Sequence, residues 1–377
     1  LTNNKSTTDS AHPETAGRDS GNRQRPHRRS VRSIQFLAII SVIIWLVVSA
    51  PLLTLLSWLL DQPLKPFLIA SVVVTPLVAL WMWTSVQSAT SPTKWPAMQL
   101  LGAGTILLSV VTFCAPLLWF ADKSLVGIVA LVVWLTLIAY GAHSATSVKT
   151  TALGFTSKSL KHKHKFVQIS DVHIGSRSKA FMQRIVDKCN HHQPDGVFIT
   201  GDLLDSSSVN SNDLRPLADL QCPAWMCLGN HERYVDLEAA IHAVEDNGVE
   251  ILRNRVVPFK ELCIIGIDDA DDNRQVSRHL PRLNVPADTY SILLYHRPAG
   301  WDDALAHNVD LMLSGHTHGG QIWPFGLLVK LQFRRMLGLF SESDKHLYVS
   351  AGTGTWGPTL RLGTRSEMTI IEIGPAQ

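Results

Sequence analysis

The chain has 377 residues, enough for two or three folded units. Hydrophobic residues make up 46% and charged residues 17%, short of the roughly 25% usual in soluble domains, and the apolar excess lies before residue 147. A net charge of +3 is too small to mark a nucleic-acid binder, and the five cysteines (Cys114, Cys189, Cys222, Cys227 and Cys263) lack zinc-finger spacing and read as reduced, packed thiols.

Residues 1–33 are rich in Ser, Thr, Asn and Arg and too polar to offset chain entropy, so a disordered basic tail is expected. It ends in the cluster Arg23, Arg25, Arg28, Arg29 and Arg32. Four stretches without Asp, Glu, Lys or Arg follow, at 34–60, 66–86, 97–120 and 124–147. Each reaches the ~20 residues that cross a bilayer as a helix. Trp58, Trp81, Trp83, Trp95 and Trp119 fall near their ends, where indoles rest at headgroups. Basic residues flank both sides of this region, with Lys149, Lys158, Lys161, Lys163 and Lys165 after it. An even number of spans and the positive-inside bias place both termini in the cytoplasm of a multi-pass protein, with the bilayer as one partner and a bacterial inner membrane as the expected setting. Residues 148–164 read as a basic juxtamembrane linker, and the run Lys161-His162-Lys163-His164-Lys165 as a patch facing anionic lipid.

From residue 165 to 377 short apolar runs alternate with amphipathic segments. Strands are predicted at 166–169, 196–200, 224–228, 263–267, 291–295, 311–313, 347–350 and 368–373, with helices at 179–190 and 236–246. The alternation predicts an α/β sandwich. Candidate metal ligands follow five of these strands: Asp171-Val172-His173, Gly201-Asp202-Leu203-Leu204-Asp205, Gly229-Asn230-His231-Glu232, His296, and Gly315-His316-Thr317-His318-Gly319. That strand edge is where α/β sites collect. In the two pairs of i, i+2 spacing, both side chains can face one ion. Carboxylates, imidazoles and an amide suit a dinuclear centre for phosphoester hydrolysis.

The order and wording of these motifs resemble the calcineurin-like metallophosphoesterase superfamily, over about residue 165 to the C-terminus. The Gly-His-Thr-His-Gly-Gly-Gln-Ile run and the anchored layout resemble a bacterial branch of transmembrane phosphodiesterases. The resemblance implies a four-layer sandwich, two β-sheets flanked by helices, preceded by the four-helix membrane region. It implies one metal held by Asp171, His173, Asp202 and His318, and a second by Asp202, Asn230, His296 and His316. Asp202 would bridge, and His231 would act beside the metals on the leaving oxygen. The two divalent ions fit Mn, Fe or Zn. Asp205 and Glu232 are candidate carboxylates behind the ligands, orienting imidazoles, or else turn residues. Arg297 and Arg361 are candidate phosphate contacts, with the Gly/Thr-rich loop 352–357 beside them.

A site held by a four-span base favours a lipid-linked phosphoester or pyrophosphate, and the resembling enzymes include some that cleave UDP-diacylglucosamine. Residues 325–340 mix large apolar side chains with Lys330, Arg334 and Arg335. They read either as an interfacial segment or as an amphipathic cover over the sandwich. The alternatives are a phosphomonoesterase or nucleotide phosphodiesterase with soluble substrates, and a non-catalytic membrane sensor. No run of basic residues interleaved with aromatics points to nucleic acid.

Overall fold

The computed structural model describes residues 37–87, 91–270 and 272–376. The expected disordered tail, with its Arg cluster, lies outside the described residues. Four helices long and apolar enough to cross a membrane come first: α1 Leu37–Leu59, α2 Leu64–Ser85, α3 Lys94–Trp119 and α4 Lys123–Thr146. At about 1.5 Å per residue even the shortest spans the ~30 Å of hydrocarbon. Pro51, within span one, follows a π-helical turn at Trp45–Ser49, which accommodates the backbone hydrogen bond that proline cannot make. Val72, Val73 and Leu77 on α2 face outward, as lipid-facing side chains do.

The rest is a sandwich of two six-stranded mixed sheets. The first sheet has the order β1 (Lys149–Ser157), β12 (Glu367–Pro375), β2 (His164–Ile169), β3 (Gly196–Thr200), β4 (Ala224–Cys227), β5 (Val249–Ile251). The second has the order β10 (Gly338–Glu342), β11 (Lys345–Val349), β9 (Leu311–Ser314), β8 (Tyr290–Leu294), β7 (Leu262–Gly266), β6 (Arg255–Phe259). Phe166, Phe198, Trp225, Ile264 and Ile292 fill the space between the sheets, with Phe166 stacked on Phe198 at 4.7 Å. The outer face of the first sheet is covered by α5 (Lys179–His191) and α6 (Leu237–Glu245). Ser178 and Asp236 cap their first turns by accepting from Phe181 N and Ala239 N. α7 (Trp301–Ala306) covers the second sheet through Trp301 and Ala304. The layers are thus helix, sheet, sheet, helix, as the sequence led us to expect.

Two expectations are corrected. Residues 148–164 are not a linker: Lys149–Ser157 form β1, parallel to the last strand from Lys149 opposite Glu367 to Ser157 opposite Pro375. Only Ser147 and Val148 separate α4 from the sheet. The Lys/His run is therefore not juxtamembrane. It lies at the far end of β1, about 30 Å along the strand at roughly 3.3 Å per residue. There Glu261 accepts from Lys161 N and His162 N, and His164 Nε2 lies 2.9 Å from its carboxylate.

The domain also packs on the spans. Arg361 N donates to Gly141 O and Ser366 N to Ser144 O, both in α4. Gln99 of α3 exchanges two hydrogen bonds with Thr359, each 3.1 Å. Ile322 and Leu360 are buried among Leu55, Trp58, Leu107 and Val110.

Candidate metal centre

The sequence placed its candidate ligands after strands, and the structure brings those strand ends to one place. Asp171 and His173 follow β2, Asp202 follows β3, Asn230 follows β4, His296 follows β8, and His316 and His318 follow β9. The strands supply rigidity, and the turns supply convergence. Asp171, His173, Asp202, His316 and His318 all take positive φ, between 50° and 72°. L-residues rarely adopt this region, and strain of this kind gathers at functional sites. Gly229 and Gly315 allow the approach: a Cβ there would lie 2.2 Å from an oxygen of Asp202 and of Asp171 respectively.

Three groups of potential ligand atoms result, each within 4.8 Å of one another: Asp171, His173 and His318; His173, Asp202 and His231; Asp202, His296 and His316. His173 Nε2 and His318 Nε2 are 3.1 Å apart, as are His296 Nε2 and His316 Nδ1. Asp202 Oδ2 lies between the pairs, 3.2 Å from His296 Nε2 and 3.9 Å from His173 Nε2. Asn230 Oδ1 is buried there without a hydrogen-bond partner. Such an orphaned acceptor is costly unless a cation or donor meets it. The set therefore fits divalent metal ions.

The electrostatics agree. Burial lowers His173 and His316 to about 3, so both rings are neutral and keep a lone pair for a cation. Burial would raise the Asp202 carboxyl, but the surrounding imidazoles, His296 first, hold it well below the usual range. Burial would lower His296, but Asp202 outweighs it and pushes the ring up to about 10. A metal would take the place of that proton.

The surrounding residues were only partly foreseen. His296 is oriented by its Nδ1, 2.8 Å from Thr200 O. Asp205 Oδ2 lies 3.8 Å from His173 Nδ1, on the side facing away from the centre, and also accepts from Ser176 N at 3.0 Å through Oδ1. Glu232 orients no imidazole, and of its two readings the turn residue is the one that fits. It is fully buried and accepts from four backbone N–H groups: Leu203 and Leu204 on one oxygen, Asp202 and Gly229 on the other. Burial and the Asp202 charge push its carboxyl up to about 7 against the pull of these donors.

Arg361 is corrected too. It is fully buried and its guanidinium is taken up by groups of the protein itself. Its guanidinium donates to the carbonyls of Ala351 (2.6 Å), Gly354 (2.8 Å) and His318 (3.2 Å). It holds the loop 351–354 beneath the ligands, where Thr353 N and Gly354 N donate to Ser170 O and Asp171 O. Arg361→Met should cost roughly 2–4 kcal/mol by leaving these carbonyls unpaired, seen as a lower thermal midpoint of the detergent-solubilised protein. Arg297 is nearly buried, with Nε donating to Asp269 Oδ2 at 2.7 Å.

His231 stands at the rim, half-buried, with its backbone N–H on Asp202 Oδ1 at 2.9 Å. Its ring meets His173 edge-on at 4.7 Å and lies near the exposed rings of Tyr234 and Trp356. Sequence reasoning missed Gln321. Its amide donates to the carbonyls of Trp356 and Pro358 and accepts from Trp356 N, fixing the Trp356 loop. The one available signal was its place directly after the His-x-His-Gly-Gly run.

Residues 164–320 match the family model described as calcineurin-like phosphoesterase. An uncharacterized metallophosphoesterase of Campylobacter jejuni is 36% identical over 57% of this chain and 60% of its own length. One of Aquifex aeolicus is 34% identical over 55% of this chain and 84% of its own. A zebrafish (Danio rerio) protein named transmembrane protein with metallophosphoesterase domain is 33% identical over 56% of this chain and 53% of its own. The chain spans about 60% of the length of the Campylobacter relative and of two from Helicobacter pylori. With the matched region running from the first central strand through the His-x-His turn, and most of the Aquifex protein aligned to it, this chain belongs to the calcineurin-like metallophosphoesterases.

Proposed function

We propose that the protein is a membrane-anchored phosphoesterase with a two-metal centre, hydrolysing a phosphodiester or pyrophosphate bond of a lipid-linked substrate. The observation that carries the two-metal reading is the position of Asp202 Oδ2, facing an imidazole of each nitrogen pair at 3.2 and 3.9 Å. Asp171, His173, Asp202 and His318 would hold one ion, and Asp202, Asn230, His296 and His316 the other. When bound, Mn, Fe or Zn supplies Lewis acidity toward the phosphate and a lowered pKa for water.

This chain's own residues do the rest. Glu232 and Arg361 hold the turns that carry Asp202 and His318. His231, whose pKa is lowered by burial, would meet the leaving oxygen and stabilise the charge that develops there. The domain lies along α3 from Gln99 to Phe113 and against the end of α4, so substrate would reach the centre beside the membrane region. The Arg cluster before span one, with Lys94 and Lys149 on the domain side, supports a cytoplasmic domain at a bacterial inner membrane.

The test is hydrolysis of bis(p-nitrophenyl) phosphate and p-nitrophenyl phosphate by the solubilised full chain, metal-stripped and then supplied with Mn. Stripping should remove turnover and Mn should restore it, with the diester preferred. A comparison of lipid-linked with water-soluble phosphoesters then separates the lipid reading from one in which the membrane only localises the enzyme. Turnover that survives complete metal removal would sink the proposal.

A further inference from the structure

The His-x-His turn leads directly into a strap, residues 322–333, that the proposed chemistry does not use. Its middle is α8 (Gly326–Gln332), a helix with no buried residue. Leu327, Leu328 and Leu331 are 60%, 61% and 84% exposed, and Trp323 and Phe325 beside them are exposed as well. So contiguous an apolar surface is unusual on a water-facing domain.

Both ends of the strap are rooted at the metal centre. A Cβ on Gly320, two residues past His318, would lie 2.1 Å from the Gly326 backbone, so the helix starts against that turn. At the other end the buried Phe333 ring meets His316 at 5.2 Å. The strap is also continuous with the membrane region. Ile322 is buried among residues of α1 and α3, and the Trp323 ring lies 5.6 Å from Phe113, well inside the span Lys94–Trp119. Phe113 is itself largely exposed on the lipid side of the bundle. A strap fixed to that level has hydrocarbon as its surroundings. The exposed cations Lys330 and Arg334 can extend to the headgroups on their apolar stems.

We infer that α8 and its flanking aromatics lie against the hydrocarbon of the bilayer, so that lipid acyl chains cover this face and form one wall of the approach to the metal centre. The inference rests on the four helices spanning a bilayer, and not on the identity of the substrate.

The experiment is spin-label accessibility on the full chain in lipid nanodiscs, in a Cys222→Ser background, since the other four cysteines are buried. Labels go at Leu331→Cys, at Leu328→Cys as a second site in the strap, at Val73→Cys on a span, and at Asp288→Cys on the water-facing domain. Collision with oxygen and with a water-soluble nickel chelate is measured at each. The strap labels should match Val73, with oxygen favoured and the chelate excluded, and should differ from Asp288. Strap labels that behave like Asp288 while Val73 reads lipid would overturn the inference and leave the membrane reading standing. Strap labels shielded from both reagents, with dipolar broadening between copies, would assign the face to a second copy and overturn it equally. A Val73 label that reads water would remove the membrane reading itself.

Discussion

Asp202→Asn is expected to lower kcat/KM for bis(p-nitrophenyl) phosphate by at least about 10³, some 4 kcal/mol of transition-state stabilisation, at saturating Mn. The carboxylate faces both nitrogen pairs, and it is almost wholly buried. An amide keeps the shape and one acceptor, so His231 N retains its partner on Oδ1. What is lost is the negative charge that would be shared by two cations. In its place stands an NH2 group, a donor with no lone pair to offer a cation. The variant should also bind less than two equivalents of Mn by elemental analysis. Activity within tenfold of the wild type, with full metal content, would remove Asp202 from its proposed place.

Glu232→Ala should be the most damaging single change for stability, at roughly 3–5 kcal/mol. The side chain has no exposure and satisfies four backbone N–H groups, from residues 202, 203, 204 and 229. Alanine strands all four in a space too enclosed for water to replace a carboxylate well. Glu232→Gln should fare better than alanine but still lose stability, because its NH2 must face either Leu203 N and Leu204 N or Asp202 N and Gly229 N. Thermal unfolding of the solubilised chain measures the order wild type, Gln, Ala. A midpoint for Glu232→Ala close to wild type would show that the two turns hold themselves. The same variants separate scaffold from chemistry, since loss of Glu232 should lower metal affinity only by loosening the turns that carry Asp202 and Asn230.

Much of this was legible in the sequence, for physical reasons that also mark where it stopped. Central strands such as Gly196–Thr200 are buried on both faces and so appear as unbroken apolar runs. The edge strands do not. Lys149–Ser157 is only partly buried and rich in polar residues, Arg255–Phe259 carries Pro258, and Gly338–Glu342 is exposed along most of its length. Nothing local announces that Lys149 will pair with Glu367. The candidate ligands could be found because metal chemistry demands particular side chains after particular strands. Glu232 and Arg361 were identified as residues of interest, but Glu232 was left between two readings and Arg361 was given a phosphate as its partner. Their partners are backbone amides and carbonyls, which every residue carries and no letter reports.

The direct passage of α4 into β1 has one more consequence. A catalytic domain on a flexible tether samples a volume set by the tether's length and meets substrate through bulk concentration. Here only Ser147 and Val148 intervene, and Ser366 N on Ser144 O, with Ser366 Oγ on Ala145 O, splints the joint. The position of the candidate metal centre relative to the four helices is therefore a fixed property of the fold. The domain turns and drifts only as the whole bundle does, in the plane of the membrane. For a substrate resident in that membrane, encounter becomes a two-dimensional search governed by surface density. On the proposed function, the reach of the centre, rather than any affinity for a remote group, would then decide which phosphoesters it meets.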